Sequence, residues 1–139
     1  PEETANCGAR LAAELVPGDM VALHGELGAG KTTFARGVAR ALGITEPVTS
    51  PTFTLVQEYE LPCSVRGIRR LCHLDLYRMT GAESAIHCGV AEYFEDREAV
   101  LLIEWPERLG RFLPHTARQV WLRHGGPRTR LIELDYEPR

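Results

Sequence analysis

The first forty positions of the chain alternate between helical and strand-like patterns of apolar residues. Alanines and leucines at helical spacing predict a helix from about Thr4 to Val16, which Pro17 ends. The same spacing predicts a second helix from Thr32 to Leu42. Between them, the short apolar run from Met20 to Leu23 is typical of a buried strand. The predicted order is helix, strand, glycine-rich loop, helix.

The middle of the chain is richer in strand-forming residues. β-Branched and aromatic residues predict an extended segment from Thr52 to Tyr59, and Leu71 to Leu76 predicts a second strand. We expect the two to pair as an antiparallel hairpin around a turn at Pro62 to Arg70. Ala99 to Trp105 predicts a central buried strand, which Pro106 ends.

The C-terminal part predicts short helices and a further hairpin. Residues 81–96 have the pattern of one or two short helices, and a loop is expected to run to Pro114. Arg118 to His124 and Thr129 to Tyr136 flank a Gly-Gly-Pro turn, which is typical of a β-hairpin. The fold class predicted for residues 1–139 is a single α/β domain, with a mixed sheet flanked by helices.

Composition narrows the class of protein. The chain has 139 residues, of which 44% are hydrophobic and 25% are charged, and its net charge is −3. This length suits one domain with one substantial core. No apolar run approaches membrane-spanning length, so no membrane association is expected. Without a basic block, tight independent binding to a nucleic acid is not expected, and any contact with RNA is expected to be shared with a partner.

The cysteines predict a reducing compartment. The chain has four of them: Cys7, Cys63, Cys72 and Cys88. None forms a C-x-x-C pair, and the start of the chain lacks a secretory pattern, so we expect free thiols, buried as small hydrophobic groups, in a cytoplasmic protein. An alternative is a zinc site built from three of these cysteines with His73 and His87, but the spacing is irregular for zinc ligands.

The only lysine of the chain lies in a phosphate-binding motif. The segment Gly25-Glu26-Leu27-Gly28-Ala29-Gly30-Lys31-Thr32 matches G-x-x-x-x-G-K-[ST] and falls between a predicted strand and a predicted helix. In such a loop, main-chain N–H groups hold the β-phosphate. Lys31 would neutralise β- and γ-phosphate oxygens and the Thr32 hydroxyl would ligate Mg²⁺. The motif predicts binding of a nucleoside triphosphate.

A site of this kind also needs a carboxylate at the end of a neighbouring strand. Glu104 follows four large apolar residues, and Asp75 ends the strand predicted from Leu71. Either carboxylate can reach Mg²⁺ directly or through water, and each can alternatively form an ion pair with Arg78 or Arg108. Which of the two is the direct ligand stays open at this point.

Two other features have open interpretations. Ser50 and Thr52 lie in a hydroxyl-rich segment that can sense the γ-phosphate or can simply form a turn. Trp105 can stack on the base or pack in the core. The absence of N-K-x-D and D-x-x-G patterns from the sequence favours adenine over guanine.

Four blocks of the sequence together resemble one family. They are Gly25–Phe34, Ser50–Val56, His73–Arg78 and Leu102–Glu107, and their order and spacing agree with those of the TsaE family, also called YjeE. The resemblance runs from about Thr4 to the final hairpin. It implies a P-loop ATPase fold of three layers and a role in the threonylcarbamoyladenosine modification of tRNA at position 37, together with TsaB and TsaD. ATP hydrolysis, slow in the isolated chain, would reset that complex.

The motif and the resemblance together give a set of expected site residues. Lys31, Asp75 and Glu104 are expected in catalysis, and Thr32, Asp75 and Glu104 at Mg²⁺. The residues expected to contact the nucleotide are Thr4, Glu26, Leu27, Gly28, Ala29, Gly30, Lys31, Thr32, Thr33, Thr52 and Trp105. Thr4 is assigned by the resemblance alone. Two other functions stay open: a nucleotide-dependent assembly module with incidental hydrolysis, and a small-molecule kinase.

Overall fold

A computed structural model describes residues 2–25, 30–49, 56–77, 89–126 and 129–135. Its helices are α1 (Glu2–Ala12), α2 (Lys31–Ala41), α3 (Val90–Phe94) and a 3₁₀ helix (Pro106–Phe112). Its strands are β1 (Met20–His24), β2 (Val56–Val65), β3 (Ile68–Asp75), β4 (Ala99–Glu104), β5 (Arg118–Gly126) and β6 (Thr129–Asp135). No helix among these residues is long and apolar enough to cross a membrane.

The described strands form one mixed sheet of six, in the order β2-β3-β4-β1-β5-β6. The four inner strands are parallel, and each outer strand pairs antiparallel with its neighbour. Parallel inner strands place their carboxyl ends at the same edge of the sheet, where the loop after β1 also begins. The predicted α/β fold with a mixed sheet and a C-terminal hairpin is therefore confirmed.

Apolar residues cover both faces of the sheet, which makes three layers. On one face, Leu11 of α1 and Phe34 of α2 pack against residues of β1, β3, β4 and β5. On the other face, Val90 of α3 and Leu109 of the 3₁₀ helix complete a second cluster. Every residue of β4 is buried, as expected for an inner strand with both faces covered.

Two glycines allow α1 and α2 to approach closely. A Cβ atom built on Gly37 would lie 1.9 Å from the Ala5 carbonyl oxygen, and one built on Gly8 would lie 2.3 Å from the Phe34 carbonyl oxygen. Both contacts are with backbone atoms, which cannot rotate away. Because these glycines have no side chain, the backbones of α1 and α2 can approach this closely, and a larger residue at either position would push the helices apart.

Two predicted connections differ from the structure. The turn predicted at Pro62 to Arg70 is only two residues long, because β2 continues to Val65 and β3 begins at Ile68. Pro62 lies within β2 rather than in a turn, because a proline is tolerated in an outer strand, which pairs on one side only. The register of β2 shifts between Glu60 and Val65. The loop predicted before Pro114 contains the 3₁₀ helix.

The remaining turn of the first hairpin is fastened to α1. Arg66 and Gly67 both have positive φ angles, of 51° and 90°, as a tight two-residue hairpin requires. The Arg66 guanidinium donates to the carbonyl oxygens of Leu15, at 3.0 Å, and Ala12. Ala12 is the last residue of α1, and its carbonyl also accepts from the Leu15 N–H, whereas Leu15 lies three residues beyond the helix. Arg66 therefore connects the end of α1 to the sheet.

The cysteines occupy different environments. Cys72 is buried on β3, where burial raises the pKa of its thiol to about 12. Cys7 is half-buried against the core on the α1 side. Cys63 is exposed, so the prediction of burial is wrong for this residue, because it lies on the outer strand β2. Cys88 and His87 lie outside the described residues.

Candidate functional site

The carboxyl edge of the sheet gathers the predicted acidic residues. In the register of the parallel strands, Leu23 of β1 and Asp75 of β3 are both opposite Glu104 of β4. Strand alternation places both carboxylates on the face of the sheet that α2 covers. The strand β1 ends beside them, and α2 begins at Lys31 after Gly30, whose φ of 103° suits a glycine. The fold thus brings Lys31, Asp75 and Glu104 together.

Lys31 is a buried cation in the first turn of α2. Its side chain is only 5% exposed, and its Nζ lies 4.0 Å from Glu104 Oε1. The same atom has no hydrogen-bond partner among the described residues. Burial lowers the pKa of Lys31, and the charges of Glu104, Asp75 and Glu107 oppose that effect. A buried ammonium without hydrogen-bond acceptors is a site that an oxyanion would complete.

Trp105 lies directly over this ammonium group. Lys31 Nζ is 4.0 Å from the centroid of the Trp105 ring, which is a cation–π contact. Tyr77 contacts the same ring, with 5.0 Å between centroids. Trp105 adopts a left-handed backbone conformation, with φ 57° and ψ 50°, which is unusual for a bulky residue. The described geometry places Trp105 on Lys31, and stacking on a base stays a prediction.

Asp75 is a partly buried carboxylate at the end of β3. Its Oδ1 accepts a hydrogen bond of 3.0 Å from the Tyr77 main-chain N–H. Burial raises its pKa and the neighbouring Glu104 adds to the rise, whereas the Tyr77 N–H and Lys31 lower it. The pKa of Asp75 is raised overall, which means that the ionised carboxylate destabilises the fold.

The stability of the fold should therefore depend on the charge of Asp75. Since the folded pKa lies above the unfolded value, the cost is absent at low pH and develops as the pH rises through the two pKa values. We expect Asp75→Asn to increase the free energy of unfolding at pH 7, and the gain to shrink as the pH falls. Urea unfolding between pH 8 and pH 4.5 measures both.

Asp96→Asn is the matched control for this prediction. The hydrogen bond from Arg70 to Asp96 lowers the pKa of that carboxyl. Its ionised form stabilises the fold above the unfolded pKa, and that contribution is lost as the pH falls through the folded pKa. Asp96→Asn should thus lower the free energy of unfolding at pH 7, whereas Asp75→Asn should raise it. A loss of stability in Asp75→Asn at pH 7 would contradict our interpretation.

Thr4 lies close to Gly30, and two hydroxyl residues of α2 follow that glycine in the sequence. Thr4 is buried, and its methyl carbon would lie 3.4 Å from a Cβ atom built on Gly30. Thr32 and Thr33 are half-buried in the first turn of α2. Their contacts with a nucleotide stay predictions. The remaining predicted contact residues lie outside the described residues: Glu26, Leu27, Gly28, Ala29, Ser50 and Thr52.

The residues present fit a metal that is shared with a phosphate group. Within the described segments, no three histidine, cysteine, aspartate or glutamate side chains are arranged to hold a metal by themselves. Mg²⁺ in nucleotide sites typically takes one or two carboxylates, a hydroxyl, waters and phosphate oxygens. Asp75, Glu104 and Thr32 would provide those protein ligands, and the Lys31 ammonium would provide the contact with phosphate.

One residue of the site escaped the sequence-based prediction. His73 is fully buried, and its Nε2 lies 2.5 Å from Glu104 Oε2. It precedes Asp75 by two residues on β3, so strand alternation places both on the same face. This two-residue spacing from Asp75 is the sequence feature that could have predicted His73 as a residue of the site.

Comparison with known proteins identifies the family. The family model described as threonylcarbamoyl adenosine biosynthesis protein TsaE matches residues 1–132. The chain belongs to the TsaE family. A crystal structure of YdiB from Bacillus subtilis superposes with a TM-score of 0.77 at 38% identity, and the match covers 96% of this chain and 78% of that one. The resemblance seen in the four sequence blocks is therefore confirmed.

Curated TsaE proteins from three bacteria are similar over most of the chain. The Bacillus subtilis protein is 41% identical over 132 residues, which cover 95% of this chain and 78% of the relative. The Nostoc sp. protein is 40% identical, with 96% and 80% covered, and the Treponema pallidum protein is 38% identical, with 88% and 85% covered. Each is described as a tRNA threonylcarbamoyladenosine biosynthesis protein.

Proposed function

We propose that this TsaE-family chain binds ATP with Mg²⁺ and hydrolyses it as a component of tRNA threonylcarbamoyladenosine biosynthesis. The observation that carries the proposal is Lys31. Its ammonium group is buried at the start of α2, directly after the glycine loop, and has no hydrogen-bond acceptor among the described residues. A triphosphate would supply the missing oxygens.

The residues of the site have proposed roles that match their chemistry. Lys31 neutralises β- and γ-phosphate oxygens, and Thr32 offers its hydroxyl to the metal. Asp75 and Glu104 hold the metal through its water shell or directly, and one of them orients the attacking water. When bound, Mg²⁺ supplies positive charge to the phosphoryl group that is transferred. The remaining residues of the glycine loop contribute main-chain N–H groups.

The proposed partners follow from the family. The chain acts with TsaB and TsaD in the cytoplasm, and it contacts tRNA only through that complex. ATP hydrolysis is slow in the isolated chain and resets the complex between rounds of modification. A net charge of −3 supports this assignment, because it disfavours independent binding to the phosphate backbone of RNA.

Alanine variants of the two acidic residues test whether tRNA modification depends on ATP hydrolysis. We expect Glu104→Ala and Asp75→Ala each to lower ATP hydrolysis by about 100-fold, which is typical for loss of one preorganised polar group at a reacting phosphate or carbonyl. Modification of tRNA should fall in parallel in an assay reconstituted with TsaB and TsaD. The measurements are phosphate release and modified nucleoside per tRNA.

Glu98→Ala is the control, because Glu98 is an exposed carboxylate in an ion pair with Arg69 and Arg70. It should leave both rates unchanged. Full modification by variants that no longer hydrolyse ATP would defeat the ATPase role and favour a nucleotide-dependent assembly module. ATP turnover that a metabolite stimulates, but TsaB and TsaD do not, would favour a kinase.

A further inference from the structure

His73 is a buried polar side chain that the roles described above do not use. It is 0% exposed, and strand alternation places it on the face of β3 that α2 covers. Its Nε2 is 2.5 Å from Glu104 Oε2, and the other oxygen of that carboxylate is 4.0 Å from Lys31 Nζ. Glu104 therefore lies between a histidine and a lysine, with one oxygen toward each.

The histidine makes the shorter of these two contacts. A separation of 4.0 Å is an ion pair without a hydrogen bond, whereas 2.5 Å is a short hydrogen bond. Glu104 is only 3% exposed, and a carboxylate so deeply buried needs a donor. Among the described residues, His73 is the side chain that gives it one.

The surroundings of the other ring nitrogen, Nδ1, indicate which of the two nitrogens carries the proton. His73 Nδ1 is buried and has no hydrogen-bond partner in the described segments. A neutral imidazole with its proton on Nε2 leaves Nδ1 as an unprotonated acceptor, so Nε2–H donates to Glu104. The strand register fixes this geometry, because His73 is opposite Leu102, two residues before Glu104.

We propose that His73 is a positioning residue that holds the Glu104 carboxylate toward the metal and phosphate. This inference rests on the proposed function, since it assigns His73 a role through Glu104. If a bound phosphate drew Lys31 away, Glu104 would lose its cationic neighbour and keep the His73 hydrogen bond. The arrangement is analogous to the outer partners of metal ligands, whose removal typically costs about 10- to 100-fold in metal affinity.

Two variants of similar shape isolate the hydrogen bond. His73→Gln keeps a side-chain N–H donor, and His73→Met removes it while filling a similar volume. We would measure the affinity for ATP with Mg²⁺ and with EDTA, and take the ratio as the contribution of the metal. His73→Met should reduce this ratio by roughly 10-fold, and His73→Gln should retain it to within about threefold.

Two further variants complete the design. Leu71→Val removes a buried methylene group from the same face of β3 without touching Glu104, so it should lower the thermal midpoint and leave the ratio unchanged. Glu104→Gln should reduce the ratio by itself. In the double variant His73→Met with Glu104→Gln, the two losses should not add, because both act on one carboxylate.

The outcomes distinguish this inference from the proposed function. If Glu104→Gln reduces the ratio and His73→Met does not, the positioning role is overturned and the proposed function stands. If the unsubstituted protein shows no effect of Mg²⁺ on ATP affinity, both fall. Should His73→Met fail to fold, His73→Gln provides the test. If folded His73→Gln lowers the ratio as much as Glu104→Gln does, the positioning role is overturned.

Discussion

Gly37→Ala should destabilise the protein by about 3 kcal/mol, although alanine favours a helix over glycine by about 1 kcal/mol elsewhere. The new Cβ atom would lie 1.9 Å from the Ala5 carbonyl oxygen, so α1 must move away from α2. The free energy of unfolding in urea measures the loss. The reversal of sign is the diagnostic feature, because intrinsic helix propensity alone predicts stabilisation.

Arg40→Ala is the control for this effect. Arg40 is exposed near the end of the same helix, so its replacement tests propensity without the clash. Its effect should be small, within about 0.5 kcal/mol. A displaced α1 also withdraws Thr4 from Gly30, so affinity for ATP should fall in Gly37→Ala at temperatures where the variant remains folded. A variant as stable as the parent would show that the helices adjust freely.

Lys31→Met should weaken the binding of ATP with Mg²⁺ by roughly 100-fold, or about 3 kcal/mol. The variant loses the cation that would meet the phosphate oxygens and leaves Glu104 without its charged neighbour. Lys31→Arg should be nearly as defective, because Trp105 and Glu104 enclose the ammonium and leave little room for a planar guanidinium. Isothermal titration calorimetry measures both affinities.

Arg40→Met is the matched control, since it removes one positive charge from the exposed side of α2. Its affinity for ATP should remain close to that of the parent. Lys31 is the only lysine in the chain, so no other lysine can take its place in these variants. If Lys31→Arg binds ATP as tightly as the parent, the assignment of the phosphate site is wrong.

The site was predictable where chemistry is local in sequence. Lys31 and Thr32 belong to a continuous motif, and Asp75 and Glu104 each end an apolar run, so four short blocks of sequence are enough to indicate the family. The bond between His73 and Glu104 was not predictable in the same way. It depends on the parallel register of β3 and β4, which places residues 31 positions apart in contact.

The fold was predictable where apolar periodicity is strong and less so where tertiary context decides. α2 and every inner strand follow their patterns to within three residues, whereas α1 ends at Ala12, four residues before the predicted end at Val16, so Pro17 does not end it. Pro62 misled the turn prediction, because only the position of β2 at the edge of the sheet makes a proline acceptable there. The left-handed Trp105 has no local signal, since neither glycine nor asparagine marks it.

The outer strand β2 also determines how the molecule behaves toward copies of itself. An exposed strand edge can recruit a strand from another molecule and start aggregation. Pro62 cannot donate a hydrogen bond to an incoming chain, and the shifted register between Glu60 and Val65 interrupts the straight row of main-chain groups. At high protein concentration, we therefore expect β2 not to pair with strands from other molecules.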